Sequence, residues 1–215
     1  MNPNAYSKEE RSIKMDVRAL LNANDARLRA LYGGEVPAAR YESLADAFRA
    51  HFSREPQAFV SAPGRTEVIG NHTDHNLGKA VGASVNLDII AFAAKRDDGK
   101  ICIKANGFDD INVDISDLEM RDDEKNSSTA LVRGVCRKFA DMGYKIGGFD
   151  AFTANDVLKG SGLSSSAAFE IMVAFILNSF YNDEKIDAKT MAIASQYAEN
   201  VYFGKGSGLL DQLSC

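Results

Sequence analysis

The sequence GFDAFTANDVLKGSGLSSSAAFEIMVAFILNSF, residues 148–180, predicts the element around which the fold is built. Its first residues alternate between apolar and polar positions, as a short strand does. Residues 159–166 then interrupt the pattern with two glycines and four serines. From Ala167 the chain is almost wholly apolar for more than ten residues, which is typical of a helix buried on most of its circumference. We therefore predict a strand, a Gly/Ser loop and a buried helix in succession.

The Gly/Ser loop is predicted to bind phosphate. It precedes the N-terminus of the helix, where unpaired N–H groups and the helix dipole favour an anion. Gly160 and Gly162 allow positive φ angles and a close approach of the backbone to a ligand. The serine hydroxyls add donors, or a hard oxygen ligand for a divalent cation. The structural alternative is a serine-rich N-cap on a core helix.

Two known phosphate loops fit this stretch poorly. A Walker loop ends in Gly-Lys-Ser/Thr, whereas the next lysine after Gly162 is Lys185. A dinucleotide fingerprint needs a glycine at the position of Ser165. It also needs an acidic residue at the end of a second strand, but Asp183 and Glu184 end the predicted helix. The loop therefore belongs to neither class.

Composition and charge exclude several classes of protein. The 215 residues suffice for one large domain or two small ones, and 45% hydrophobic with 26% charged residues is ordinary for a globular protein. A net charge of −5 without a basic stripe argues against nucleic acid as a partner. The charged N-terminus lacks the apolar core of a signal peptide, and no run approaches membrane-spanning length. We therefore expect a cytoplasmic location and no membrane partner.

Hydrophobic periodicity predicts an α+β architecture for the rest of the chain. Helices are predicted over residues 7–31, 41–52, 129–142 and 187–204. Strands are predicted over residues 58–61, 80–95, 100–104 and 111–115. These strands are expected to form one mixed or antiparallel sheet packed with helices. Residues 68–77 are polar and bounded by glycines, and the prediction for them is an irregular segment.

A second informative stretch, APGRTEVIGNHTDHNLGKAV at residues 62–81, places polar side chains between two predicted strands. It holds two of the three histidines of the chain within four residues. His72, Asp74 and His75 could form a metal site, but their spacing on a loop is a weak ligand pattern. A solvated turn is the other alternative. This mixture of carboxylate, His and Asn side chains suits a polyhydroxylated ligand. Carboxylates accept hydrogen bonds from hydroxyls, whereas His and Asn can both donate and accept.

Three motifs identify the family that the chain resembles. APGRTEVIGNHTDHNLG looks like the sugar-binding signature of galactokinases, which reads GRVNLIGEHTDYNGG in its common form. GSGLSSSAAFE resembles the ATP motif of the galacto-, homoserine, mevalonate and phosphomevalonate (GHMP) kinases. AENVYFGKGSGLLDQ is similar to the galactokinase segment that carries the catalytic aspartate. The resemblance covers residues 41–215 and implies the GHMP kinase N-terminal domain, a ribosomal protein S5 domain 2-like fold, with residues 1–40 as a helical N-terminal extension.

The resemblance also implies roles for individual residues. Asp211 would face the anomeric hydroxyl of the sugar, and Arg65 would lie between that hydroxyl and the transferred phosphoryl group. Phosphoryl transfer has a loose transition state, so such positioning and charge neutralisation supply most of the acceleration. The implied sugar-binding residues are Arg65, Asn71, His72, Asp74 and Asp211. The implied ATP-binding residues are Gly160, Ser161, Gly162, Leu163, Ser164, Ser165 and Ser166, and the implied Mg²⁺ ligands are Ser166 and Glu199.

Several of these positions have a structural alternative. Asp211 could cap a helix, and Arg65 after Pro-Gly could be a surface turn residue. Glu199 lies off the apolar stripe of its helix and could face solvent. Two departures from the family signature bear on the substrate. Asn71 stands where galactokinases have glutamate, and Glu67 stands where they have asparagine. The family glutamate helps to hold the sugar, so the acceptor sugar is left open.

The resemblance implies an ATP-dependent sugar 1-kinase, most directly a galactokinase. The alternatives are a kinase of an amino sugar or a uronic acid, and a sugar-sensing binding protein derived from a galactokinase. The intact residues Ser165, Ser166 and Asp211 favour the enzyme. The chain ends four residues after Asp211, whereas galactokinases continue through a C-terminal domain that closes over the site. We therefore expect an N-terminal half that lacks this domain, is inactive alone and tends to self-associate.

Overall fold

The fold is built on the predicted strand–loop–helix unit. The structure is a computed structural model that describes residues 15–158 and 160–215. Its strands are β1 (Ala58–Ile69), β2 (Val81–Arg96), β3 (Lys100–Ala105), β4 (Ile111–Asp114) and β5 (Gly148–Asn155). Its helices are α1 (Val17–Ala23), α2 (Asp25–Tyr32), α3 (Ala38–Phe52), α4 (Ser128–Asp141), α5 (Ser165–Tyr181), α6 (Ala188–Tyr197) and α7 (Leu210–Ser214). Shorter helical turns occupy Thr73–Asn76, Asp122–Glu124 and Ala198–Phe203.

The strands form one mixed sheet in the order β1-β2-β5-β3-β4. Neighbouring strands pair antiparallel except β3 and β5, which run parallel. The predicted α+β architecture with a mixed sheet is therefore confirmed. Because β5 is the middle strand, the Gly/Ser loop leaves the sheet at its centre, and α5 packs back across β1 and β2. Within the described ranges, no helix is long and apolar enough to cross a membrane.

Helices cover both faces of the sheet. Along β2, Ile89 and Ala91 enter the core formed with α4, α5 and α6, whereas Ile90 and Phe92 enter the core formed with α1, α2 and α3. Successive residues of a strand point to opposite faces, so this strand is buried on both sides from Asp88 to Ala94. That double burial explains why its sequence is a continuous apolar run rather than an alternating one.

Two expected boundaries were wrong. β1 was predicted to end near Ser61 but continues to Ile69, into the segment expected to be irregular. The pairing with β2 shifts register at Pro63–Arg65 and again at Glu67–Ile69, and such bulges let a strand pass a proline. The N-terminal helical stretch is broken at Asn24 into two helices. Residues 1–14 lie outside the described residues, and the domain boundary near residue 40 stays a prediction.

A buried charge joins the N-terminal helices to the sheet. Asp88 on β2 is fully buried, and its carboxylate accepts hydrogen bonds from Tyr32 of α2 at 2.7 Å and from Ser61 of β1 at 2.6 Å. Arg40 of α3 pairs with the same carboxylate and donates to the backbone carbonyl of Ala154 at 3.1 Å. The buried charge therefore has a full set of partners, and these bonds fix α2 and α3 against three strands.

Replacing this buried carboxylate should destabilise the fold. Asp88→Asn removes the buried partner anion of Arg40 and leaves only the exposed Asp156 beside its guanidinium, so we expect the free energy of unfolding to fall by about 3 kcal/mol. Guanidinium-induced unfolding measures the loss. Asp98→Asn is the matched control, because Asp98 pairs with Arg96 at the surface and its loss should change the stability far less. Equal losses in the two variants would contradict the role of the network.

Candidate functional site

A cleft of about 1020 Å³ opens where β5 meets the Gly/Ser loop. The turn after β1 and the segment before α7 form its other walls. Most of the candidate residues line it: Arg65, His72, Asp74, Gly160, Gly162, Ser164, Ser165, Ser166 and Asp211. The candidate residues that do not line the cleft are Asn71, Ser161, Leu163 and Glu199. The fold therefore brings the three sequence motifs to one place.

An ion pair between Arg65 and Asp211 lies at the centre of the site. Nε of Arg65 donates to Oδ1 of Asp211 at 2.7 Å, and Nη2 lies 2.5 Å from the same oxygen. Both residues are buried, with 4% and 8% of their surface exposed. Ser164 donates to the other oxygen of Asp211. Arg65 is therefore not a surface turn residue. Asp211 lies in the first turn of α7, and its carboxylate faces Arg65.

Arg65 also ties β1 to the Gly/Ser loop. Its backbone N–H donates to the carbonyl of Leu163 at 3.0 Å, and its Nη1 donates to the carbonyl of Gly162 at 2.6 Å. The preceding Gly64 makes this approach possible. A Cβ there would lie 2.9 Å from the carbonyl oxygen of Leu163 and 2.9 Å from a methyl carbon of Val157. The close contact of strand and loop therefore depends on a missing side chain.

The Gly/Ser loop has the predicted backbone conformation. Gly160 and Gly162 adopt φ angles of 82° and 78°, and Ser164 adopts 53°. Ser164 is the N-cap residue of α5, yet its side chain makes no cap bond to any residue that the structure describes. Its hydroxyl bonds to Asp211 instead. The side chain of Ser164 therefore leaves the first-turn N–H groups of α5 uncapped, as an anion site requires, although a serine does hold the N-cap position that the structural alternative predicted.

The turn after β1 holds His72 and Asp74 at the cleft. The carboxylate of Glu67 accepts from the backbone N–H of His72 at 2.8 Å and lies 3.2 Å from its Nε2. His72 Nδ1 lies 3.8 Å from Oδ1 of Asp211. Asp74 accepts from the backbone N–H of Leu210 at 2.9 Å, which ties the turn to the start of α7. The sequence analysis noted Glu67 only as a residue that differs from the family signature. It did not predict the contact between Glu67 and His72.

Glu199 is fully buried, so the alternative of a solvent-facing position is wrong. Its Oε1 accepts from Ser166 at 2.8 Å and from Lys205 at 2.9 Å, and its Oε2 accepts from Ser207 and Gln212 at 2.8 Å each. Burial disfavours the charged form, but the hydrogen bonds from Lys205 and Ser207 outweigh it and lower the pKa of Glu199. The carboxylate is therefore ionised at neutral pH.

The sequence interpretation failed at Glu199 because the buried face of this helix is wider than its apolar stripe. Ser195 and Glu199 are four residues apart on one face of the helix, and both are fully buried although both are polar. An apolar stripe therefore does not mark the whole of the buried face. Lys205, Ser207 and Gln212 were missed as well. The signal that could have found them is their position in the third motif, where Lys205 and Ser207 lie between Glu199 and Asp211 and Gln212 follows Asp211.

A second buried carboxyl lies behind Glu199. Glu170 is fully buried, and its Oε2 accepts from Nε2 of Gln212 at 3.1 Å. Among the described residues, Oε1 of Glu170 and Oε1 of Gln212 have no hydrogen-bond partner. Burial raises the pKa of Glu170 well above its usual value, and the charge of Glu199 raises it further. These two effects favour the protonated form of Glu170, whereas the hydrogen bonds to Glu199 favour its charged form.

Ser166 and Glu199 have the chemistry that suits Mg²⁺. This ion prefers hard oxygen ligands and is commonly held by one or two protein groups, with water and phosphate oxygens completing its shell. Ser166 lies in the first turn of α5, beside the loop that is predicted to hold phosphate. In residues 15–158 and 160–215, no group of three or more His, Cys, Asp or Glu side chains could hold a metal ion. The turn with His72, Asp74 and His75 is therefore not the metal site considered as an alternative.

Known proteins match the chain in the parts that form this cleft. Residues 46–95 match the galactokinase galactose-binding signature, and residues 130–215 match the GHMP kinases N terminal domain. The galactokinase of Clostridium tetani is 33% identical over 153 residues, which are 71% of this chain and 39% of the relative. The galactokinase of Staphylococcus carnosus is 31% identical over 172 residues, 79% of this chain and 44% of the relative. The chain thus spans less than half the length of these curated relatives.

Solved structures share the fold. The galactokinase of Lactococcus lactis complexed with galactose matches with a TM-score of 0.72 and 28% identity, over 80% of this chain and 45% of that one. The mevalonate kinase of Methanococcus jannaschii matches with a TM-score of 0.60 over 73% of this chain and 50% of that one. At 12% identity the second match shows the fold alone. The expected fold of a GHMP kinase N-terminal domain is therefore confirmed.

A substitution at Gly208 tests the packing of the turn against the segment before α7. A Cβ at Gly208 would lie 1.8 Å from Oδ2 of Asp74 and 2.8 Å from the amide nitrogen of His75. Gly208→Ala should therefore displace the turn and lower the free energy of unfolding by about 1–3 kcal/mol in guanidinium titrations. Gly206→Ala is the control, since a Cβ there would meet no described atom within 4 Å. Equal effects of the two substitutions would contradict this packing.

Proposed function

Because the chain belongs to the galactokinase family of GHMP kinases, we propose that it is part of an ATP-dependent sugar 1-kinase, most directly a galactokinase. The reaction is galactose plus ATP to galactose 1-phosphate plus ADP. The observation that carries the proposal is the buried pair of Arg65 and Asp211, because Arg65 contacts the carbonyl of Gly162 in the Gly/Ser loop. A carboxylate for the sugar thus lies directly beside the predicted phosphate site.

Asp211 and Arg65 act as a unit under this proposal. Asp211 accepts a hydrogen bond from the anomeric hydroxyl and either orients it or takes its proton late in the transfer. The guanidinium of Arg65 holds the carboxylate of Asp211 in position and neutralises charge on the phosphoryl group as it moves. Burial of the pair strengthens both effects, since little water screens the charges. His72, Asp74 and Asn71 would hold the ring hydroxyls of the sugar.

The Gly/Ser loop is proposed to bind the nucleotide phosphates. Residues 160–166 offer backbone N–H groups and serine hydroxyls at the start of α5, which favours an anion. Ser166 and the ionised Glu199 would hold Mg²⁺ beside these phosphates. When bound, the metal ion neutralises phosphate charge and supports the geometry of transfer. The serine hydroxyl and the carboxylate lie 2.8 Å apart, so both are in place for one ion.

The partners under this proposal are the sugar, ATP and a further domain of the same protein. The matched relatives are more than twice as long as the aligned part, with 39% and 44% of them covered. Apolar side chains are exposed on the hairpin of β1 and β2, with 63% of Val68, 67% of Ile69 and 98% of Leu77 accessible. A surface of this kind suits a docked domain, or self-association in its absence. A cytoplasmic location stays a prediction.

Release of ADP by the complete gene product, measured with Mg²⁺ and a panel of monosaccharides, tests the proposal. We expect ADP release that depends on galactose, with phosphate on C1 of the product by NMR. Preference for an amino sugar or a uronic acid would assign the alternative acceptor. Sugar binding without sugar-dependent ADP release would favour the sugar-sensing alternative and contradict the kinase.

Loss of the charge at Asp211 should abolish most of the turnover. Asp211→Asn in the complete gene product removes the group that could take the proton of the anomeric hydroxyl and the anion that faces Arg65. We expect kcat to fall by about 10²–10⁴ while galactose still binds. Asp183→Asn removes an exposed carboxylate that pairs with Lys185 and should leave kcat unchanged. A similar kcat in the Asp211 variant would remove this residue from the mechanism.

Asn71 is proposed to influence the choice of sugar. Asn71→Glu introduces a charged acceptor for a sugar hydroxyl, so kcat/KM for galactose relative to the other sugars should rise by about tenfold. Asn76→Glu is the control, since it adds the same charge to an exposed position of the same turn and should leave the ratio unchanged. An unchanged ratio in the Asn71 variant would show that this position does not contact the sugar.

A further inference from the structure

Lys205 contacts the carboxylate of Glu199, which is proposed to hold the metal ion. Its ammonium donates to Oε1 of Glu199 at 2.9 Å, and Ser166 donates to the same oxygen at 2.8 Å. We propose that Lys205 is a resident cation of the metal site. Its ammonium holds Glu199 until a divalent ion enters and then moves to a phosphate of the nucleotide. The identity of the nucleotide rests on the proposed function, whereas the exchange at Glu199 rests on these contacts.

The hydrogen bonds of Glu199 leave no free oxygen for a metal ion. Oε2 is taken by Ser207 and Gln212, and Oε1 by Ser166 and Lys205. A hydroxyl can rotate its proton away and present a lone pair to a cation, as Ser166 would do. An ammonium has only donors, so it cannot share Oε1 with a divalent ion without strong repulsion. Entry of the ion therefore requires Lys205 to leave.

The surroundings of Lys205 allow this departure. Its side chain is 54% exposed, although Glu199 beside it is fully buried. It lies between Gly204, whose φ angle is 89°, and Gly206, and it lines the cleft together with Ser164 of the Gly/Ser loop. A long and partly exposed side chain can change rotamer at low cost. The released ammonium then points into the cleft.

Charge balance gives the ammonium its second partner. While Lys205 pairs with Glu199, the buried carboxylate is compensated. A divalent ion compensates the carboxylate after the exchange, and the freed ammonium then lies among the positions proposed for phosphate. Lysine binds phosphate as a flexible point charge. The exchange therefore couples metal entry to phosphate binding without leaving a buried charge unpaired.

Binding of Mn²⁺ to the 215-residue chain, measured by electron paramagnetic resonance at pH 8, tests the exchange. Lys205→Met removes the competing cation, so Mn²⁺ should bind about fivefold more tightly than to the parent. Lys205→Arg keeps the competing charge and should bind no more tightly than the parent. Lys104→Met is the matched control, because Lys104 lines the same cleft but pairs with Asp110. It removes the same charge and should change the affinity by less than about twofold.

The outcomes separate an exchanging cation from a structural tether. A tether predicts that Lys205→Met leaves Mn²⁺ binding unchanged or weakens it, and that result would overturn the proposal, as would an equal gain in the Lys104 variant. Glu199→Gln must abolish Mn²⁺ binding both in the parent chain and in combination with Lys205→Met, since an ion that still binds would lie at another site. Absence of Mn²⁺ binding in every variant also overturns it. Circular dichroism melting of each variant verifies that the fold is intact.

The second half of the proposal is tested in the complete gene product. Lys205→Met should raise KM for ATP by about fivefold or more at saturating Mg²⁺, because a phosphate contact is lost. An unchanged KM for ATP would overturn the transfer of the ammonium to phosphate. The Mn²⁺ titration needs neither sugar nor turnover. It can therefore fail while sugar-dependent ADP release stands, and it can succeed where that activity is absent.

Discussion

The site depends on the ion pair between Arg65 and Asp211, whose residues are 146 positions apart in the sequence. Two buried charges are stable only if their geometry and remaining hydrogen bonds are satisfied. Gly162 accepts from the guanidinium, and Ser164 donates to the carboxylate. β1, the Gly/Ser loop and α7 must therefore all be in place before the pair can form, so this interaction contacts all three motifs at once.

Charge around this pair is arranged locally, since the whole chain carries a net charge of −5. An anion cannot rely on a basic surface here. The attraction comes from the N-terminus of α5, from the guanidinium of Arg65 and from the ammonium of Lys205 on Glu199. Burial behind Glu199 raises the pKa of Glu170, which disfavours a further negative charge at the same place. A polyphosphate with its metal ion is the ligand class that this arrangement favours.

The sequence predicts the central unit and the mixed sheet because each element has a clear hydrophobic period. It also predicts which residues line the cleft, since three motifs carry them. It could not predict the orientation of Glu199, because Ser195 and Glu199 are polar residues on a buried helix face, which the apolar stripe alone does not reveal. Nor could it predict the partners of Asp88 or Glu199, since side chains from distant segments meet only in the folded chain. The register shifts in β1 also hid the full length of that strand, because a bulge interrupts the alternation of apolar and polar residues.

The measurement that tests this account most directly is a structure of the complete gene product with galactose and a non-hydrolysable ATP analogue. The decisive distance is that between the carboxylate of Asp211 and the C1 hydroxyl of the sugar. The account predicts about 2.6–3.2 Å, with the terminal phosphate between that hydroxyl and residues 160–166. A different hydroxyl against Asp211, or phosphates bound away from this loop, would contradict it.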